Sequence, residues 1–368
     1  MRTLEDIKPK RGLSVPLVTV LDDGGGLLEA DQRSLVRHVI QDGYGADVVF
    51  AGGTTGEWDA LSAPVMRQAV AVSIEEVLKE NSRLGLEAGS VEAWAGVTSH
   101  NPIETLRNLE LAIRSGAHAA VLAPLSIRGI DDPVRFVARD VADLLDSLPR
   151  RIPIYLYDNA DIAVDPKVRH FRTWQVKALS RLDFVRGIKV SASKKVLGNY
   201  TKAAESFRDR GEFGIYIGDA LLVFDLFRPR SGWLGVLDEH WQRRRLRGSL
   251  PVGVVSGPAN VLPREWARAW QVCTAGDLER MELVQNILTY YRTETRAAVG
   301  RRSIACLKRA LFLSGVISSP RLAKGTPGLA LPDVERFDSV WREVIKLSRE
   351  KVGDPWVTKR PIVDGVSS

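Results

Sequence analysis

Short, continuous apolar runs alternate along the chain with segments whose apolar residues recur every three or four positions. The runs are Ser14–Val20 (SVPLVTV), Asp47–Ala51 (DVVFA), Glu92–Val97, His118–Ala123 (HAAVLA), Ile152–Tyr157 (IPIYLY), Phe184–Lys189 (FVRGIK), Phe213–Ile217 and Val252–Val255 (VGVV). Each is short and bounded by turn residues, which predicts a strand. Between them lie helical patterns. The first starts at Asp31, with Leu35, Val36, Val39 and Ile40 on one face; others cover Pro64–Glu80, the stretch from Pro102, Asp132–Leu145, Pro166–Leu179, Lys194–Arg208 and the stretch from Ala220. Strands that are apolar throughout, rather than at alternate positions, belong to a parallel sheet covered by helices. Eight strand–helix units over roughly 250 residues predict a (β/α)8 TIM barrel. A doubly wound open sheet is the rival, but no Gly-rich fingerprint follows the first strand. Gly24–Gly26 lies beyond Asp22 and Asp23 and reads as a plain loop.

The alternation ends near residue 262. We expect residues 1–262 to form the barrel and 263–368 a helical C-terminal region. One connection breaks the rhythm, Arg228–Leu250, which is longer than a simple loop and carries Arg243, Arg244 and Arg245. It reads either as a solvated insertion covering a neighbour or subunit contact, or as a dedicated anion or nucleic-acid surface. Composition narrows the picture. The 368 residues are 45% hydrophobic and 26% charged, which excludes disorder as the main state. Cys273 and Cys306 are the only cysteines, which excludes a disulfide scaffold and a cysteine zinc site and suggests a reducing compartment. The opening MRTLEDIKPKRG has no apolar core of a signal peptide, and no window nears the roughly 18 apolar residues of a membrane span. The expectation is a cytoplasmic protein with no membrane contact. Lys plus Arg is 52 against 45 for Asp plus Glu, giving a net charge of +7. That modest excess suits anionic small substrates better than nucleic acid, which is not expected as a partner.

Three positions at expected strand ends carry candidate chemistry, because a barrel of this kind places its site there. Gly52-Gly53-Thr54-Thr55-Gly56-Glu57 follows the second strand. Its glycines allow close backbone approach, and its hydroxyls and N–H groups suit a carboxylate; a structural turn with a helix cap is the plainer account. Lys189 closes the sixth expected strand. It is either a solvated lysine or an amine desolvated in the barrel mouth, where burial favours the neutral, nucleophilic form. At an ordinary pKa only about 0.04% of an amine is free at pH 7. Tyr157 closes the fifth expected strand with Tyr155 on the same side, and is either a packed aromatic or a proton shuttle. The five histidines, His38, His100, His118, His170 and His240, show no metal-ligand spacing, and no nucleophile elbow or zinc signature is present.

Taken together these residues resemble the dihydrodipicolinate synthase / N-acetylneuraminate lyase family. Gly53-Thr54-Thr55-Gly56-Glu57 with Leu61-Ser62 is similar to its Gly-Thr/Ser-Thr-Gly-Glu turn, Ile154–Tyr157 to its tyrosine strand, and Gly187-Ile188-Lys189 to its Schiff-base strand. Gly218-Asp219, Gly253–Asn260 (GVVSGPAN) and Lys308–Arg321 are similar to later signatures, so the likeness runs from about Gly12 to Lys351. The resemblance implies a barrel with a helical C-terminal domain, assembled as a homo-oligomer, a dimer or tetramer. It implies a class I lyase or aldolase acting on pyruvate or another 2-oxo acid with an aldehyde partner. Lys189 is then the imine-forming residue and Tyr157 the proton relay; Gly53, Thr54, Thr55 and Val255 bind substrate. No cofactor and no metal are expected, the covalent imine being the electron sink. Two departures qualify this. The family's Pro-Tyr-Tyr corresponds here to Pro124-Leu125-Ser126, and the arginine that follows the relay tyrosine is missing from Asp158–Ala163. Ser126 or Asp158 is the candidate to rebuild the relay, and Arg128 or an arginine of the insertion to replace the anchor. The alternatives are dihydrodipicolinate synthase proper, in lysine biosynthesis, and a non-catalytic metabolite-binding barrel.

Overall fold

The computed structural model describes Leu4 and residues 7–86, 89–193, 196–197, 200, 213–228 and 251–351. Eight parallel strands close into a barrel in chain order: β1 Gly12–Pro16, β2 Val48–Ala51, β3 Glu92–Gly96, β4 Ala119–Leu122, β5 Ile154–Asn159, β6 Val185–Ser191, β7 Gly214–Ile217 and β8 Gly253–Val255. Closure is by β8 on β1, with Gly12 opposite Gly253 and Ser14 opposite Val255. The open-sheet rival is therefore excluded. The covering helices are α1 Glu29–Ile40, α2 Ala63–Arg83 and α3 Pro102–Arg114. After them come α4 Pro133–Phe136, a π turn Val137–Val141, α5 Ala142–Ser147, α6 Thr173–Leu179 and α7 Leu222–Phe227. Four more follow the barrel: α8 Pro263–Ala275, α9 Leu278–Val299, α10 Ser303–Leu313 and α11 Leu331–Lys351. None of the described helices is long and apolar enough to cross a membrane.

Several boundaries differ from the sequence expectation, each for a local reason. The apolar run Ser14–Val20 is buried throughout, but the first strand ends at Pro16. Beyond it the Val18 N–H donates to the Asn260 side chain and the Val20 N–H to the Gln32 side chain, so the run is buried without being sheet. α6 starts at Thr173 rather than Pro166, because the Phe171 N–H is taken by the Asp158 carboxylate and the Arg172 N–H by the Gln175 side chain. β5 and β6 run two residues further than expected, pairing Asp158 with Val190 and Asn159 with Ser191. Tyr157 and Lys189 thus stand within their strands rather than closing them. Of the helix expected near Lys194–Arg208 only Val196, Leu197 and Tyr200 are described, and they are helical, while the part of the insertion that carries Arg243–Arg245 lies outside the described residues.

Strand alternation divides the core in two. Outward side chains such as Val15, Val49, Leu122, Leu156 and Ile188 join the helices in one large cluster. Inward ones, among them Val48, Phe50, Trp94, Val121, Tyr155, Tyr157, Tyr216 and Val255, fill the barrel. Trp94 stacks on Tyr155 with ring centroids 4.2 Å apart, and Tyr216 meets both edge-on at 5.1 and 5.4 Å. The Tyr216 hydroxyl donates to the carbonyl of Lys10, ahead of β1, so this aromatic cluster seals the N-terminal end. Chemistry is left the opposite end. Cys273 and Cys306 are buried and free in α8 and α10, and burial pushes both thiols up to about 12.

Candidate active site

Lys189 lies in the middle of β6 and points into the barrel, as the two-residue period from Gly187 requires. A Cβ on Gly187 would stand 2.9 Å from the Tyr155 ring, which fixes that face as interior. The Lys189 side chain is 5% exposed. Its amine sits 3.9 Å from the centroid of the Tyr157 ring and 5.3 Å from that of Phe50. Among the described residues it has no carboxylate partner. Two aromatic faces, rather than a carboxylate, are what the nitrogen meets.

Tyr157, on the neighbouring strand and in register with Lys189, turns its hydroxyl into a polar cluster. The Asn159 amide donates to it at 3.0 Å, the Ser191 hydroxyl at 3.4 Å, and Thr54 Oγ1 lies 3.4 Å away. Burial pushes the phenol up, but the charge of Lys189 and these hydrogen bonds outweigh it, and the phenol is held below its usual range. The arrangement is an amine beside a phenol readied to give and take a proton. Asn159 and Ser191 were not singled out in the sequence. The signal was there: each stands two residues beyond a candidate, and so on the same strand face.

The turn that supplies Thr54 is a single 3-10 turn, Thr54–Gly56, directly after β2. Gly52 precedes it with φ +75°, and a Cβ there would meet the Gly96 carbonyl at 2.9 Å. Glu57 closes the turn in the left-handed region, at φ 60°. That conformation costs a non-glycine residue about 1 kcal/mol and persists only when its surroundings enforce it. Here the Glu57 carboxylate forms a fully buried ion pair with Lys308 of α10 and accepts the Ala323 N–H at 2.8 Å. Lys308 also donates to the Arg321 carbonyl at 2.7 Å. The motif's glutamate is thus a bolt from the C-terminal helices onto the turn. Thr55 faces those helices beside Gly257. Gly53 abuts the Phe50 ring, where a Cβ would approach to 2.9 Å, and Val255 is part of the barrel filling with Tyr157.

Other candidates lie elsewhere. Asp158 alternates with Tyr157 and points away from the barrel interior. Its carboxylate accepts from Phe171 N–H and lies 3.1 Å from His170 Nδ1. It therefore does not rebuild the proton relay. Ser126 is buried in the turn Pro124–Ser126, its hydroxyl without a partner and its carbonyl 2.9 Å from His100 Nδ1. Arg128 lines a separate cavity of about 620 Å³ between the loops after β4 and β5, with Val164 and Trp174, to which neither Tyr157, Lys189 nor any residue of the Gly53–Glu57 turn contributes. Asp219, after β7, binds Arg292 of α9 at 2.8 Å. No cluster of three or more His, Cys, Asp or Glu able to hold a metal occurs among the described residues.

Comparison with known proteins agrees with this geometry. The profile described as the Dihydrodipicolinate synthetase family matches residues 9–125. A 4-hydroxy-tetrahydrodipicolinate synthase of Ralstonia nicotianae is 25% identical over 275 residues, covering 73% of this chain and 76% of its own. A probable 5-dehydro-4-deoxyglucarate dehydratase of Streptomyces coelicolor is 30% identical over 180 residues, 48% of this chain and 47% of its own. Among solved structures, the sialic acid aldolase of Ruminococcus gnavus superposes with a TM-score of 0.72 at 13% identity, over 93% of this chain and 99% of that one. That last likeness shows the fold. The profile match contains the Gly53–Glu57 turn, so the N-terminal third of the chain is similar in sequence to the dihydrodipicolinate synthetase family, and the closed barrel with its trailing helices shares the fold of the solved structures.

Proposed function

We propose that the protein is a Schiff-base lyase or aldolase acting on pyruvate or another 2-oxo acid. The observation that carries this reading is the Lys189 amine, buried over the Tyr157 ring at 3.9 Å with no carboxylate partner among the described residues. The neutral amine adds to the ketone carbon of the substrate, and the carbonyl π pair moves to oxygen. Loss of that oxygen as water, with two protons, leaves a protonated imine. Loss of a proton from the adjacent carbon, or cleavage of its bond to the next carbon, gives the enamine. The enamine attacks an aldehyde carbon in the synthetic direction, takes a proton in the cleaving one, or expels a β-hydroxyl as water. Hydrolysis of the imine restores Lys189. Tyr157, with its phenol held below the usual range, carries the protons of these steps. The hydroxyls and backbone N–H groups of Thr54 and Thr55 hold the substrate carboxylate. The imine is the electron sink, so the chemistry calls on no cofactor.

One enamine serves carbon–carbon bond formation, cleavage and dehydration alike, and the relatives' names span a synthase, a dehydratase and an aldolase. Dihydrodipicolinate synthesis itself is the weaker reading. No arginine stands in Asp158–Ala163 to hold an aldehyde's carboxylate beside Tyr157, and the loss of a bidentate anchor weakens binding by several kcal/mol on the order of two charge-assisted hydrogen bonds. The test is intact-protein mass after incubation with pyruvate and borohydride. We expect a reduced pyruvate adduct on the wild type and none on Lys189→Ala. An adduct on the variant would overturn the assignment of Lys189, and no adduct on either would move the non-catalytic barrel to the front.

A further inference from the structure

A second cavity, of about 460 Å³, opens beside the turn that ends in Thr55 and Gly56. Thr55 and Gly257 form one wall, at the mouth of the barrel, and α9 and the start of α10 form the other. The α9–α10 wall is built for negative charge. α10 begins at Ser303 with no side chain capping its N-terminus and no acidic residue in its first turn, so its free N–H groups present partial positive charge. Arg296 and Arg301 stand on the same wall, and neither has a carboxylate partner among the described residues. Arg292 lines it too, with its guanidinium already given to Asp219. Thr295 is the further sign. Its side chain is buried at 8% exposure against the cavity, and its hydroxyl has no hydrogen-bond partner. An unmet buried hydroxyl, an uncapped helix start and two uncommitted arginines converge on one space. Through Thr55 that space adjoins Thr54, whose hydroxyl lies against Tyr157.

We propose that this cavity is a subsite for a second anionic group of the substrate, held by Arg296, Arg301, the Thr295 hydroxyl and the α10 N-terminus. The preferred substrate is then a 2-oxo acid with a further acidic group at its far end, a dianion rather than a neutral sugar acid. This rests on the Schiff-base reading for the first carboxylate and the ketone; the second group is a separate claim. The cation that grips it comes from the C-terminal helices rather than from the loop after β5, which carries none in Asp158–Ala163.

The experiment compares 2-oxo diacids of five, six and seven carbons, each with the 2-oxo monoacid of equal length, by the concentration that half-saturates borohydride trapping. In the wild type one diacid should trap at about tenfold lower concentration than its monoacid, the scale of one charge-assisted contact at a partly exposed site. In Arg296→Glu/Arg301→Glu that ratio should fall to one or below. A wild-type ratio of one at every length, or a ratio that survives the double substitution, overturns the inference while a pyruvate adduct upholds the mechanism. If no 2-oxo acid leaves an adduct, the mechanism fails, and the subsite is read by calorimetry instead. Glutarate should then bind the wild type and not the double variant, with valerate binding neither; no glutarate binding to the wild type overturns it.

Discussion

Lys189 and Lys308 are both buried; Lys308 pairs with Glu57 of the turn that supplies Thr54, and Lys189 lies beside Tyr157, which Thr54 meets. Lys308 is fully buried with the Glu57 carboxylate against it and the Arg321 carbonyl at 2.7 Å. Burial lowers its proton affinity, opposed by Glu57. Lys189 is offered two aromatic faces and, among the described residues, no carboxylate. The first amine has its charge answered and its hydrogen bonds spent, so it serves as a fastener. The second has been taken from water without that answer. Burial of a lysine does not by itself indicate chemistry; what faces the nitrogen does.

The contrast is sharpest under replacement by methionine. Lys189→Met should abolish turnover and adduct formation, while the urea midpoint stays equal or rises, because a buried polar group without a carboxylate partner among the described residues is exchanged for an apolar chain of similar shape. A clear loss of stability would mean that Lys189 is structural like its counterpart. Tyr157→Phe keeps the ring beneath the amine and deletes only the phenol. Turnover should fall by about 10²–10⁴ with the borohydride adduct still trapped; loss of the adduct would show the phenol needed for imine formation itself. Lys308→Met strands the Glu57 carboxylate and should cost about 3–5 kcal/mol in denaturant unfolding, with most of it restored in Glu57→Gln/Lys308→Met. Equal losses in single and double variants would break the fastener account.

The smallest effect concerns a buried charge that neither lysine meets. Burial raises Asp158 from 3.8 to about 6, against the lowering influence of His170. Between about pH 4 and 6 the folded state therefore binds more protons than the unfolded one. Stability falls as pH rises through that window, by about 2–3 kcal/mol, and the deficit is constant above it. Asp158→Asn should flatten that slope in urea titrations at pH 4, 5 and 7. A slope unchanged in the variant would assign it to other carboxylates.

Much of this architecture is legible in the chain. The eight apolar runs and their order follow from local patterning, and Thr54, Tyr157 and Lys189 are found because strand ends and glycine turns mark themselves. Strand extents are less so: where β5 and β6 stop depends on partners such as Val190 and Ser191 across the ladder, not on their own side chains. The Glu57–Lys308 pair is invisible locally, since neither residue's neighbours announce a buried partner in a distant helix. Arg296 and Arg301 look like any solvated helix arginines until α9 and α10 bring them beside Thr55.

The aromatic floor has a consequence for the order of events. Trp94, Tyr155 and Tyr216 close one end of the barrel, so the well above them opens at the other. A substrate bonded to Lys189 would occupy the bottom, and anything reacting with it would arrive afterwards. Under the proposed function the keto acid would therefore load first; in synthesis the two substrates would leave as one product, and in cleavage the aldehyde would leave first and the keto acid last, by hydrolysis of its imine. The order of a two-substrate reaction at Lys189 would then rest on three rings at the far end of the barrel.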